Sequence, residues 1–115
     1  MSMDLYIYVG PYLEVTPKPP AELVEQWEHL IYDGRGENGV DEEVGYLIPN
    51  VDIGLDRHTT FSRFSSSTDV VDMWTRANSY REVQLMEEHC KEPAKEFSEN
   101  GCSSRVKWGV VPSCR

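Results

Sequence analysis

The sequence predicts an α+β fold: a small, mainly antiparallel sheet of about three to four strands with about two to three helices packed on one face. Three observations carry this. An unbroken β-favouring run lies at Leu5 to Val9, two stretches (21–33 and 69–98) repeat apolar residues at helical spacing, and Val106, Trp108 and Val110 alternate with Lys107 and Gly109. At 115 residues the chain has the size of one ordinary domain.

The first run, Leu-Tyr-Ile-Tyr-Val, is apolar on both faces and reads as a central strand. Tyr12 to Val15 continues it past a bend at Gly10-Pro11, and Pro17, Pro19 and Pro20 end it. A helix is expected over Ala21 to Asp33, with Pro20 at its first turn and Gly34 past its end. Leu23, Val24, Trp27, Leu30 and Ile31 form its apolar stripe. Gly34 to Glu43 reads as a polar loop, Val44 to Ile48 as a short strand stopped by Pro49-Asn50, and Val51 to Thr68 as an irregular connection.

The serine run before Asp69 offers N-caps for a helix reaching Ser98, as one long element or two stacked ones. Val70, Met73, Ala77 and Tyr80 form one stripe, and Val83, Met86, Cys90, Ala94 and Phe97 a second. Pro93 is expected to kink or end the helix, because its ring meets the carbonyl of His89. Asn100-Gly101 supplies a C-terminal stop, and Arg105 to Pro112 the last strand. Trp27 and Trp108 fall on expected buried faces, as does Cys90, whereas Cys102 and Cys114 flank the last strand, either as exposed thiols or as a pair that bonds on oxidation.

Charge is distributed unevenly. The formal net charge is -9, and the segment 22–56 holds ten acids against the single base Arg35. From Phe61 onward eight acids meet eight bases. Within the first helix Glu22, Glu25 and Glu28 recur at i, i+3 on the side away from the apolar stripe, where they repel one another by a few tenths of a kcal/mol per contact. Local stability does not account for them, so a partner carrying positive charge is the reading they favour. The expected partner-binding residues are Glu22, Glu25, Glu28, Asp33, Asp41, Glu42 and Glu43, with Trp74, beside Arg76 and Arg81, as an aromatic anchor.

No motif supplies chemistry. Gly-x-Ser-x-Gly, a phosphate loop and His-Glu-x-x-His are all missing, so no catalytic residue is assigned and the chain is read as a non-enzyme. Read as an EF-hand from Asp33, the acidic loop places Arg35 where a ligand belongs and Asn38 where glycine is required. The cysteines are spaced without a Cys-x-x-Cys pair, so no metal and no cofactor is expected. The alternative is a small enzyme or metal-binding protein using the loop around His58, with Asp56, or Cys102 and Cys114. A third reading is an assembly subunit that closes as a homodimer.

In overall charge character the chain is similar to the small acidic inhibitors that bacteriophages encode against host defence nucleases and nucleic-acid-binding proteins, among them anti-CRISPR proteins and mimics of DNA. The similarity is one of composition. It implies a protein partner with a basic, nucleic-acid-binding surface, and a monomer or homodimer that occludes that surface. Direct binding of nucleic acid is not expected, because the acidic segment repels phosphate. No stretch approaches the roughly 20 apolar residues that span a bilayer, and Met1-Ser2-Met3-Asp4 lacks a basic signal region, so the expected location is the cytoplasm.

Overall fold

The computed structural model describes residues 5–35, 43–50, 62–63 and 79–114, with side chains over 8–35, 43–50 and 80–111. Strand β1 (Leu5–Thr16) leads to a short helix α1 (Ala21–Glu25), then to strands β2 (Ile31–Asp33), β3 (Gly45–Pro49) and β4 (Ser62–Arg63). Helices α2 (Ser79–His89) and α3 (Lys91–Glu99) precede the closing strand β5 (Ser103–Cys114).

β1 is the spine of the sheet. It pairs antiparallel with β5 along its whole length, from Leu5↔Cys114 to Thr16↔Ser103. Its other edge is shared, with β4 meeting Tyr6 and Ile7 and β3 meeting Leu13 to Val15. β2 then adds outside β3 through Ile31↔Pro49 and Asp33↔Leu47. Pro11 stands opposite Trp108 of β5 and, on the shared edge, falls between β4 and β3. The expected central strand through Gly10-Pro11 is therefore present as one element.

Alternation along the strands sorts side chains into two clusters. Leu13, Val15 and Leu47 join Leu23 of α1 and Met86, Cys90 and Phe97 of the later helices, so the helices share one face. Tyr8, Ile48 and Val111 form the second cluster, with Tyr12, Tyr32 and Tyr46 packed against it. In β5 the expected inward set holds only in part: Val106 packs on the helix-side cluster, but Val110 is exposed and its neighbour Val111 is fully buried.

The helix expected over 21–33 stops at Glu25, and its last three residues form β2 instead. The bonds Trp27 N–H to Val24 O (2.9 Å) and Leu30 N–H to Trp27 O (2.9 Å) tighten the chain into turns. Asn50 then takes the remaining acceptors, its side chain donating to Glu28 O at 2.9 Å and its N–H to Leu30 O at 2.7 Å. Ladder bonds to β3 thus replace the helical bonds that Tyr32 and Asp33 would have made.

The break expected from Pro93 lies at Cys90, which is the N-cap of α3, so Pro93 falls in the first turn, where an absent N–H costs nothing. α3 ends as a Schellman motif: Cys102 N–H reaches Phe97 O at 2.9 Å, Gly101 N–H reaches Ser98 O at 3.1 Å, and Gly101 has φ of 81°. That motif turns Cys102 back onto Phe97 in the core, so the exposed thiol expected at Cys102 is buried. Tyr80, assigned to an apolar stripe, is 74% exposed.

Candidate functional site

Glu25 of α1 and Glu28 of its following turn line a cleft of about 700 Å³. Its accessible apolar lining is Ala21 and Val24 of α1, and Pro19, Gly45, Ile31 of β2 and Leu47 of β3 lie buried behind it. Gly45 lets Pro19 pack closely here, since a Cβ at that position would stand 3.0 Å from Pro19 Cδ. Lys18 N–H donates to Glu43 O at 2.8 Å, which ties the segment after β1 to the approach to β3. The cleft is thereby held by backbone bonds on two sides, with Asn50 fixing the α1 turn on the third.

Glu25 and Glu28 stand exposed at the mouth. They are i, i+3 neighbours, and among the described residues no cation pairs with them or with exposed Glu22 and Glu43. Asp33 behaves differently. Its Oδ2 lies 3.3 Å from Lys18 Nζ and its Oδ1 accepts the N–H of Arg35 at 3.0 Å, so this carboxylate is already engaged. The Arg35 guanidinium lies over the Tyr46 ring, 4.3 Å from its centroid.

Among the expected partner-binding residues the structure thus brings Glu25 and Glu28 together at one opening, sets Glu22 on the adjoining surface of α1 and Glu43 nearby, and places Asp33 in an ion pair. Asp41, Glu42 and Trp74 lie outside the described residues, as do His58 and Asp56. Of Cys114 only the backbone is described, paired with Leu5. Among the described residues no group of three His, Cys, Asp or Glu side chains is placed to hold a metal ion.

Two glutamates that the acidic-segment reading passed over are structural partners of tryptophans. Trp27 Nε1 donates to Glu96 of α3 at 2.7 Å, and Trp108 Nε1 donates to Glu82 of α2 at 3.0 Å. Both indoles are half-buried, and Trp27 packs against the helix-side core as expected. Glu82 is only 3% exposed. Its signal was present, because 82, 86, 90, 93 and 97 are the buried positions of α2 and α3, and an acid in phase with that stripe must find a donor.

Burial shifts two acid groups nearby. The Tyr8 hydroxyl, donated to Pro11 O at 2.6 Å, is raised well above the ordinary phenol range by burial first and by the Glu82 charge second. Burial also pushes the Cys90 thiol up to about 12, which leaves it a packing group rather than a nucleophile.

No known protein family, curated protein or solved structure matches the chain. No helix among the described residues is long and apolar enough to cross a membrane.

Proposed function

We propose that this chain is a non-enzymatic binding protein, an inhibitor whose acidic corner covers a basic, nucleic-acid-binding site on another protein. One observation carries the reading: Glu22, Glu25, Glu28 and Glu43 are exposed and have no cation of the described residues paired with them, beside a cleft. Glu14 and Asp33 are neutralised by bases of the fold, and an unneutralised group gathered beside a cleft favours an external positive partner. Charge draws the partner in and orients it.

Carboxylates gathered at one corner without a cation of the described residues present negative charge as a run of phosphates does. Such a surface competes with nucleic acid for the same lysines and arginines, which is how an acidic inhibitor blocks a nuclease or a nucleic-acid-binding protein without chemistry.

The test begins with capture of the partner from cells and measurement of its affinity across salt. Reversal of Glu25 and Glu28 to Lys is expected to weaken the complex at least tenfold, the scale of 1.4 kcal/mol, and to flatten its salt dependence. Addition of the native protein is expected to displace nucleic acid from the partner. An affinity untouched by the double reversal removes the proposal.

A further inference from the structure

We propose that the outer edge of β5 is the interface at which two copies of this chain join, β5 against β5 antiparallel about a two-fold axis, as one continuous sheet. The inference does not depend on the acidic corner and adds a second surface to the molecule.

The phase of the sheet shows which backbone groups that edge presents. Pro11 stands opposite Trp108, and Pro112 opposite Ile7. A proline cannot donate, so neither pair exchanges two N–H···O bonds, and both are of the non-hydrogen-bonded kind. The far side of the sheet gives the same phase. Gly34 N–H bonds Tyr46 O at 2.8 Å, so Tyr46 faces β2, Leu47 faces Leu13, and Val106, opposite Leu13, turns its backbone away from β1. The N–H and C=O groups of Ser104, Val106, Trp108 and Val110 therefore point to the outer edge, where among the described residues no strand pairs. Such a row is a template for a further strand. Lys107, the residue type that commonly blunts an edge, is held on the other face by Glu14 at 3.0 Å. β2, the opposite edge, is three residues long against the twelve of β5.

Side chains supply a second observation. Val110 of β5 and Tyr80 of α2 are the large hydrophobic residues exposed among the described residues, at 36% and 74%. Their elements are tied together by the bond from Trp108 Nε1 to Glu82, two residues from each. A strand laid along β5 covers this side of the molecule.

Charge selects the occupant. β5 carries Arg105 and Lys107 and no acid, so it repels the basic partner that the acidic corner attracts. It also lies across the sheet, in the order β2-β3-β1-β5, from that corner. In a β5–β5 pair the two β3 strands stand five strand spacings apart, roughly 24 Å, or about three Debye lengths at physiological salt. Two chains of net charge -9 thus meet where their repulsion is least. An axis at Val110 sets the exposed valines of the two copies against each other and Lys107 against the partner's Ser113. An axis at Val106 would instead oppose Arg105 to the partner's Lys107.

Sedimentation equilibrium of the native protein over a wide concentration range is expected to show a mass rising to twice the 13.2 kDa of one chain and no further. Hydrogen exchange read by NMR over the same range is expected to slow at the outward amides of Val106 and Val110, with the inward amide of Gly109 unchanged. Val110→Lys sets like charges across the axis and is expected to weaken the dimer at least about tenfold. The position is exposed, and an unchanged amide spectrum of the dilute variant verifies its fold.

The mass of one chain at every concentration would overturn the proposal. So would a dimer that keeps its affinity in Val110→Lys, or one that leaves the Val106 and Val110 amides as fast as in dilute protein. Masses growing past two chains would overturn it too, because they report open association rather than a closed pair. Reversal of Glu25 and Glu28 to Lys judges the corner separately and is expected to leave this dimer unchanged.

Discussion

Glu14 and Glu25 are the same side chain in opposite settings. Glu14 sits on β1, half-buried, with Arg105 at 3.5 Å and Lys107 at 3.0 Å from the neighbouring strand. Arg105 is its direct cross-strand partner. Glu25, at the end of α1, is exposed and among the described residues has no cation paired with it. Carboxylates in the β1–β5 ladder therefore stabilise the sheet from within, whereas those of the α1 corner leave their field directed outward.

The largest effect that would break this division lies in the core shared by both regions. Phe97 is fully buried among β1, α2 and α3, and Phe97→Ala is expected to cost about 3–5 kcal/mol in urea unfolding. A loss below 1 kcal/mol would show that the two regions do not depend on one core.

Gly34 gives the corner its own sensitivity. A Cβ there would stand 2.9 Å from Ile48 Cγ2 and 3.0 Å from Tyr46 O, so Gly34→Ala is expected to destabilise by about 1–3 kcal/mol. At Gly109 the nearest atom is the Tyr12 ring at 3.5 Å. Gly109→Ala, on the ladder, is the milder control in the same assay.

Alkaline pH sharpens the contrast from the buried side. The Cys90 thiol is raised from its ordinary 9.0 to about 12 by burial, so above pH 9 the unfolded chain releases a proton that the folded chain retains. The unfolded state then binds fewer protons, and stability falls as pH rises between about 9 and about 12 at up to ~1.4 kcal/mol per pH unit. Tyr8, raised in the same direction, adds to the decline above its ordinary 10.0. Cys90→Ser flattens the first part of this slope, as urea titrations at pH 8 and pH 10.5 would reveal.

Smaller effects separate the two kinds of carboxylate. Glu14→Gln removes two cross-strand ion pairs and is expected to cost about 0.2–1 kcal/mol without altering partner affinity. Glu25→Gln with Glu28→Gln is expected to change stability by less than about 0.5 kcal/mol while weakening the complex. If these outcomes were exchanged, the comparison would be reversed.

Much of the fold was legible because it follows from local signals. The central strand through Gly10-Pro11, the break ahead of Pro93 and the stop at Gly101 each answer to backbone chemistry within a few residues. The end of α1 was not legible. The apolar spacing of Leu23, Val24, Trp27, Leu30 and Ile31 suits a helix, yet β3 and Asn50 offer the backbone after Glu25 an alternative set of bonds from distant sequence. Cys102 was misread for the same reason: its burial depends on how α3 turns back, not on its own neighbours.

The candidate site divides along the same line. Composition and order alone determined that negative charge is concentrated in 22–56, because covalent sequence requires nothing further. Only the tertiary structure decided that Lys18 neutralises Asp33, that Glu25 and Glu28 overlook a cleft, and that Ile31 and Leu47 lie buried behind it. Those outcomes need strands far apart in sequence to pair, and a Coulomb interaction depends on distance in space, which the order of residues does not specify.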